Sequence, residues 1–228
     1  MISTPTDLPR FERLFGSGKA LGLDIVYREQ LAPRGIAEAL LIAERFVGAD
    51  TVALILGDNI FYAGDAFASA FARHRAGATV FGYQVRDPER YGVVALDERG
   101  RVVGIEEKPS HPKSNYAVPG LYLFDGHAAE LVRTLSPSAR GELEITDLIR
   151  KYLEGGQLEF QALARGTAWL DAGTSSSLHD ASAFVQTLEK RQGIKLGCPE
   201  EAAFRRGFVD AQGLEQLVRG MPRSEYRD

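Results

Sequence analysis

The sequence predicts an α/β protein: a Rossmann-like, mostly parallel central sheet with an inserted β-hairpin and a C-terminal helical appendage. Three observations carry this reading. Short apolar runs such as "TVALIL" (51–56) alternate with stretches whose apolar residues recur at helical spacing, the signature of βαβ units. Between residues 91 and 109 the pattern switches to two alternating strands around an acidic, Gly-containing turn. From about Thr174 onward the apolar residues keep a helical period.

The elements follow in order. "MISTPTDLPRF" reads as the last residues of a strand, a loop, and a helix starting near Leu8 or Pro9. A doubly wound sheet needs a first strand and a phosphate-binding turn ahead of this point. The fold is therefore expected to be truncated at its N-terminus. "LDIVYREQ" (23–30) reads as a strand, "GIAEALLIAERFVG" (35–48) as a helix, and "TVALIL" as a strand covered on both faces. A helical stretch near 65–76 leads to a strand at "ATVFGYQV" (78–85). The hairpin "YGVVALDERGRVVGIEEKP" stops at Pro109, which cannot donate to a ladder. "YAVPGLYLFD" (116–125) reads as one strand, and "GELEITDLIRKYLEGG" (141–156) as an amphipathic helix stopped by glycines. "LEFQALA" and "AWLDAG" are short strands. "SSSLHDASAFVQTLEKRQG" then puts Leu178, Ala181, Phe184 and Leu188 on one helical face, with its Ser run supplying the cap. "CPEEAAFRRGFVD" and "AQGLEQLVRG" read as two further short helices. The expected division is a core over residues 1–173 and a helical segment over 174–228.

Composition narrows the function classes. Of 228 residues, 44% are hydrophobic and 25% charged, which is ordinary for a globular chain. A net charge of −4 gives no electrostatic footprint for nucleic acid or an anionic membrane, so neither is an expected partner. No apolar run approaches the roughly 18–20 residues that span a bilayer. A lone cysteine, Cys198, cannot form an internal disulfide, and a cytoplasmic location is expected.

Most candidate motifs fail on spacing. "GSGKALG" (16–22) is no phosphate loop, because Ala20 follows Lys19 and no strand precedes it. His74, His111, His127 and His179 lie far apart, without metal-ligand spacing. The acidic strand ends stand out. Asp58 closes one apolar strand and Asp171 closes another, and two such carboxylates can converge on one hard cation. Gly57 and Gly173 beside them allow a bulky anion close approach to the backbone. In "GIEEKP", Glu107 is a hydroxyl acceptor and Lys108 a phosphate cation, or both belong to a solvated charge run. Neighbours on a strand point to opposite faces, so both line one wall only if the strand ends there.

Five blocks in one order, "LGDNIFY", "DPERYGVV", "IEEKP…PKSNYAVPGLYLFD", "SARGELEITD" and "GTAWLDAGT", resemble the glucose-1-phosphate thymidylyltransferases. The resemblance runs from Ile2 to about Tyr226. It implies a Mg²⁺-dependent transfer from dTTP to glucose 1-phosphate, giving dTDP-glucose and pyrophosphate on the dTDP-rhamnose pathway. By the same resemblance, Asp58 and Asp171 would hold Mg²⁺, while Lys108 and Arg140 would bind the sugar phosphate. Glu107 would accept sugar hydroxyls, Tyr91, Gly92 and Val118 would line the sugar pocket, and Trp169 would pack near the phosphate. Gln30 and Gly35 would meet the thymine. Homotetramers, and feedback by dTDP-sugars at a second site that includes "CPEEAAFRRGF", are further implications.

The chain also departs from the family. The loop of the type L-A-G-G-x-G-T-R-L-x-P that cradles the triphosphate is not in this sequence, and Met1 coincides with the end of the family's preceding strand. An inactive or impaired enzyme is the resulting expectation, because each preorganised contact to a transferring phosphoryl group is worth about 10²-fold or more. The rival readings are a non-catalytic sugar-phosphate or nucleotide-binding remnant, and a uridylyltransferase of the same fold.

Overall fold

The structure is a computed structural model and describes residues 1–227. The first elements are β1 (Ile2–Ser3), α1 (Leu8–Phe15), β2 (Arg28–Glu29), α2 (Glu38–Ile42), α3 (Glu44–Val47), β3 (Val52–Ile55) and β4 (Asn59–Tyr62). There follow α4 (Ala68–Arg73), β5 (Ala78–Gln84), β6 (Gly92–Leu96), β7 (Val102–Glu107), β8 (Tyr116–Ala117), β9 (Leu121–Phe124), α5 (Ala128–Val132) and α6 (Ile145–Glu154). The last are β10 (Leu158–Ala162), β11 (Ala168–Asp171), α7 (Ser175–Gln192), α8 (Pro199–Arg205) and α9 (Ala211–Arg219).

Contacts group these elements into two units. One holds Pro33–Ala181, and the other holds Met1–Ala32 with the residues from Ser182 onward. By contacts the division falls inside α7 rather than at 173/174, and the first 32 residues group with the C-terminal helices. The reason is local packing within that unit. Gly22, at φ +70°, lies so close to the segment after α8 that a Cβ there would sit 2.6 Å from the Phe208 carbonyl oxygen. In the same unit β1 pairs in parallel with β2, and the Met1 ammonium donates to the Val26 carbonyl at 2.6 Å. The strand expected over 23–30 is thus a two-residue ladder.

In the Pro33–Ala181 unit the α/β class holds, but the sheet is mixed rather than mostly parallel. Its order is β3-β9-β5-β8-β6-β7, with β10 added in parallel to β5. β9 runs antiparallel to both β3 and β5, and β6 and β7 form the expected hairpin. The run "YAVPGLYLFD" is broken at Pro119, which has no N–H to give a ladder, and so yields β8 and β9 instead of one strand. All four residues of β9 are buried, the pattern of a strand covered on both faces. α6 buries Ile145, Leu148, Ile149 and Tyr152 on one stripe against Val80, Val94 and Phe124. Each such burial is worth about 1.5–3 kcal/mol. The helix expected over 35–48 is split at Ala43 into α2 and α3. Ahead of α7 the cap is Thr174 rather than the Ser run alone. Its Oγ1 accepts from Ser177 N at 3.2 Å while Ser177 Oγ accepts from Thr174 N at 3.0 Å, a reciprocal pair at a helix start.

Candidate active site

One cavity of the Pro33–Ala181 unit, about 260 Å³, gathers Asp58, Tyr91, Gly92, Glu107, Lys108, Val118, Arg140, Trp169 and Asp171. Its size falls just below the roughly 300–1,000 Å³ usual for small-molecule sites. Gly35 is not among its lining residues, and Gln30 belongs to the other unit. At φ +98°, with a Cβ position only 2.3 Å from the Leu143 carbonyl oxygen, Gly35 holds the entry to α2 against the backbone before α6.

The acidic end is built by the β4–β11 pair. These strands run antiparallel with Asn59 opposite Asp171, and Ala172 N donates to the Asp58 carbonyl at 2.8 Å. Asp58 therefore lies between β3 and β4, at the start of the second strand rather than the end of the first. A Cβ on Gly173 would lie 3.0 Å from Asp171 Oδ1 and 3.4 Å from Asp58 Oδ2, so both carboxylates flank a space that glycine alone leaves open. Two hard oxygen donors around a small gap fit a hard divalent cation, whose remaining positions take water or substrate oxygens. Among the described residues no group of three or more His, Cys, Asp or Glu gathers for a metal, so any such cation relies on this pair plus non-protein ligands.

Asn59 fixes the geometry of this end. Its Oδ1 accepts from Trp169 Nε1 at 2.7 Å and from Gly120 N at 2.9 Å, and its Nδ2 donates to Asp58 Oδ1 at 2.7 Å. The indole of Trp169 also meets the Tyr91 ring edge-on, with centroids 4.9 Å apart. One amide thus orients both a carboxylate and an aromatic wall.

The basic end forms where β7 stops. Lys108 takes φ +41°, a left-handed conformation uncommon for a residue with a side chain, while its N–H donates to the Tyr91 carbonyl at 3.0 Å. That turn brings Glu107 and Lys108 onto one wall, with Lys108 Nζ 3.8 Å from Glu107 Oε1. Arg140 Nη2 lies 3.5 Å from Glu107, 3.6 Å from Glu142 and 2.9 Å from Glu144. Burial pushes the Glu107 carboxyl up and Glu144 adds to this, while Lys108 and Arg140 pull the other way. Burial, with the Glu107 and Asp58 charges, also pushes the Tyr122 phenol up, so a neutral O–H lines the cavity between its two ends. Thr146, buried in the same wall, also favours the charged form of the Glu107 carboxyl through its hydroxyl.

Asn59, Arg90, Glu144 and Thr146 escaped the reading of the sequence, although each lies within a quoted block: "LGDNIFY", "DPERYGVV" or "SARGELEITD". Only their positions inside those blocks could have signalled them.

The family model described as nucleotidyl transferase matches residues 1–187. The chain belongs to the nucleotidyl transferase family. This nucleotidyl transferase is 50% identical over 229 residues to the glucose-1-phosphate thymidylyltransferase of Neisseria meningitidis, covering 99% of the chain and 79% of that protein. It is 50% identical to the enzyme of the same name from Mycolicibacterium smegmatis, covering 99% and 79%. A solved structure from Bacillus anthracis, assigned as a glucose-1-phosphate thymidylyltransferase and in complex with sucrose, superposes with a TM-score of 0.73 at 42% identity, covering 80% of this chain and 74% of that one. A UDP-glucose pyrophosphorylase complexed with UDP-glucose, 22% identical, superposes at 0.65 over 78% and 73% of the two chains and shares the fold.

Proposed function

We propose that this nucleotidyl transferase moves a thymidylyl group from dTTP to glucose 1-phosphate, giving dTDP-glucose and pyrophosphate. The observation that carries the reading is the polarity of one cavity, with paired carboxylates at one end and Lys108 and Arg140 around Glu107 at the other. Relatives at half identity over nearly the whole chain bear the same activity in their names.

In this reading Lys108 and Arg140 neutralise the sugar phosphate. Arg140 is already oriented by Glu142 and Glu144, so little ordering cost remains when the phosphate arrives. A phosphate oxygen of the sugar then attacks the α-phosphorus in line with the departing pyrophosphate. The protein contributes positioning and charge compensation. Glu107 accepts sugar hydroxyls, Tyr91, Gly92 and Val118 shape the pocket, and Trp169 closes it. Asp58 and Asp171 would hold Mg²⁺, which when bound offsets charge on the phosphate oxygens. A cytoplasmic homo-oligomer with dTDP-sugars as feedback ligands belongs to the same proposal.

Calorimetric titration with glucose 1-phosphate tests it directly. Heat of binding is expected for the native chain and a loss of about tenfold or more in affinity for Lys108→Ala, since a charge-assisted contact disappears. Pyrophosphate release with dTTP against UTP, measured on this chain and on one extended by an N-terminal strand and G-G-x-G-T-R loop, decides the base. No heat with either glucose 1-phosphate or dTDP-glucose overturns the proposal, and faster turnover with UTP replaces it by the uridylyl reading.

A further inference from the structure

Asp171 uses its two oxygens differently. Oδ1 accepts from Gly173 N at 2.8 Å, whereas Oδ2 lies 3.6 Å from Arg90 Nη2, an ion pair too long for a hydrogen bond. Arg90 has a second home in its own turn. Its Nη1 donates to Asp87 Oδ2 at 2.9 Å, and its guanidinium carbon stands 5.3 Å from the Tyr91 ring centroid. The guanidinium can therefore release Asp171 and still keep partners.

Charge balance explains why it reaches for Asp171 at all. Two carboxylates flanking one gap repel each other unless a positive charge stands nearby. Lys108 and Arg140 are engaged with Glu107, Glu142 and Glu144 at the far end of the cavity. Among the described residues Arg90 is the cationic side chain within ion-pair distance of either Asp58 or Asp171.

We infer that Arg90 is a built-in counter-ion: it holds Asp171 in place while no cation is bound and competes with the cation for that carboxylate. The inference rests on the reading of Asp58 and Asp171 as the metal pair. Arg90 is thus a positioning residue that sets how tightly the divalent ion is held. A partly exposed ion pair of this length is modest, so its effect on affinity is also modest.

Manganese, titrated into the protein with free Mn²⁺ followed by electron paramagnetic resonance, reads this without any turnover. Arg90→Gln is expected to bind Mn²⁺ about two- to fivefold more tightly than the native protein. Arg90→Lys, which keeps the charge, is expected to stay close to native. Arg86→Gln, which removes an exposed charge nearby in the chain, is expected to change little. Circular dichroism of each variant confirms the fold. Native binding that Arg90→Gln leaves unchanged overturns the counter-ion role and spares the metal pair, as does equal tightening by Arg86→Gln. If the native protein and Arg90→Gln both fail to bind Mn²⁺, the metal reading itself falls, and the inference with it.

Discussion

Gly173 lacks a side chain where two carboxylates need the room. Substituting Ala would place a methyl 3.0 Å from Asp171 Oδ1 and 3.4 Å from Asp58 Oδ2, and one of them would have to turn away. Asp171 would also risk its bond from Gly173 N, the contact that sets which oxygen points toward the gap. Gly173→Ala is therefore expected to weaken Mn²⁺ binding about tenfold or more, as misoriented ligands generally do, with an unchanged circular dichroism spectrum. Unaltered Mn²⁺ affinity would mean that the gap is not the metal site. Lys108 illustrates the opposite use of backbone. Its φ of +41° costs energy that a turn glycine would save, yet glycine there would forfeit the ammonium on the cavity wall.

At the scale of elements, Asp125 ties β9 to its surroundings. The buried carboxylate accepts from Gly77 N at 2.7 Å, from His127 N at 3.0 Å and from the Tyr152 hydroxyl at 2.8 Å, linking the end of β9 to the start of β5, to α5 and to α6. Burial pushes this carboxyl up, but the Tyr152, Gly77 and His127 donors outweigh it and hold it below the usual carboxylate range. A depressed carboxyl stabilises the fold above its unfolded value of 3.8 and loses that contribution as pH falls through the lower folded value. Asp125→Ala, which strands these donors, is expected to cost about 2–3 kcal/mol at pH 7, with a gap to native that narrows below about pH 4. Urea unfolding at the two pH values measures it, and a gap independent of pH would remove the ionised carboxylate from the account. The same β9 shows where the sequence is silent. Apolar residues on a strand buried on both faces are identical for either direction, so the antiparallel placement of β9 could not be read. Strand and helix periods could be read, and the hairpin over 92–107 and α6 match them. The cavity was legible through the order of its blocks, because Asp58, Glu107, Lys108, Arg140 and Asp171 lie far apart in sequence and only the fold joins them. Partners that act through other side chains, such as Asn59 and Arg90, carry no sequence signal of their own.

At the scale of the whole molecule, the chain covers 79% of relatives such as the Neisseria meningitidis enzyme, and its family match runs from residue 1 to 187, across the division between the two contact units. Whether those units are also energetic units depends on what closes each one. In the unit of Met1–Ala32 and the C-terminal helices, Gly22 brings two distant segments together by lying against the Phe208 backbone. Ala at φ +70° is strained, and its methyl would meet the Phe208 carbonyl oxygen at 2.6 Å, which flexible side chains cannot relieve. Gly22→Ala is expected to loosen that unit by about 2 kcal/mol, seen as a roughly 30-fold loss of hydrogen-exchange protection in α1 and α8. The amides of β5 and α6, buried in the other unit, are expected to keep native protection, and glucose 1-phosphate binding is expected to survive, because every residue that lines the cavity lies between Ile36 and Asp171. Equal loss of protection in both units would show that the chain opens as one cooperative body, and loss of sugar-phosphate binding would show that the site needs the terminal segments to hold its shape.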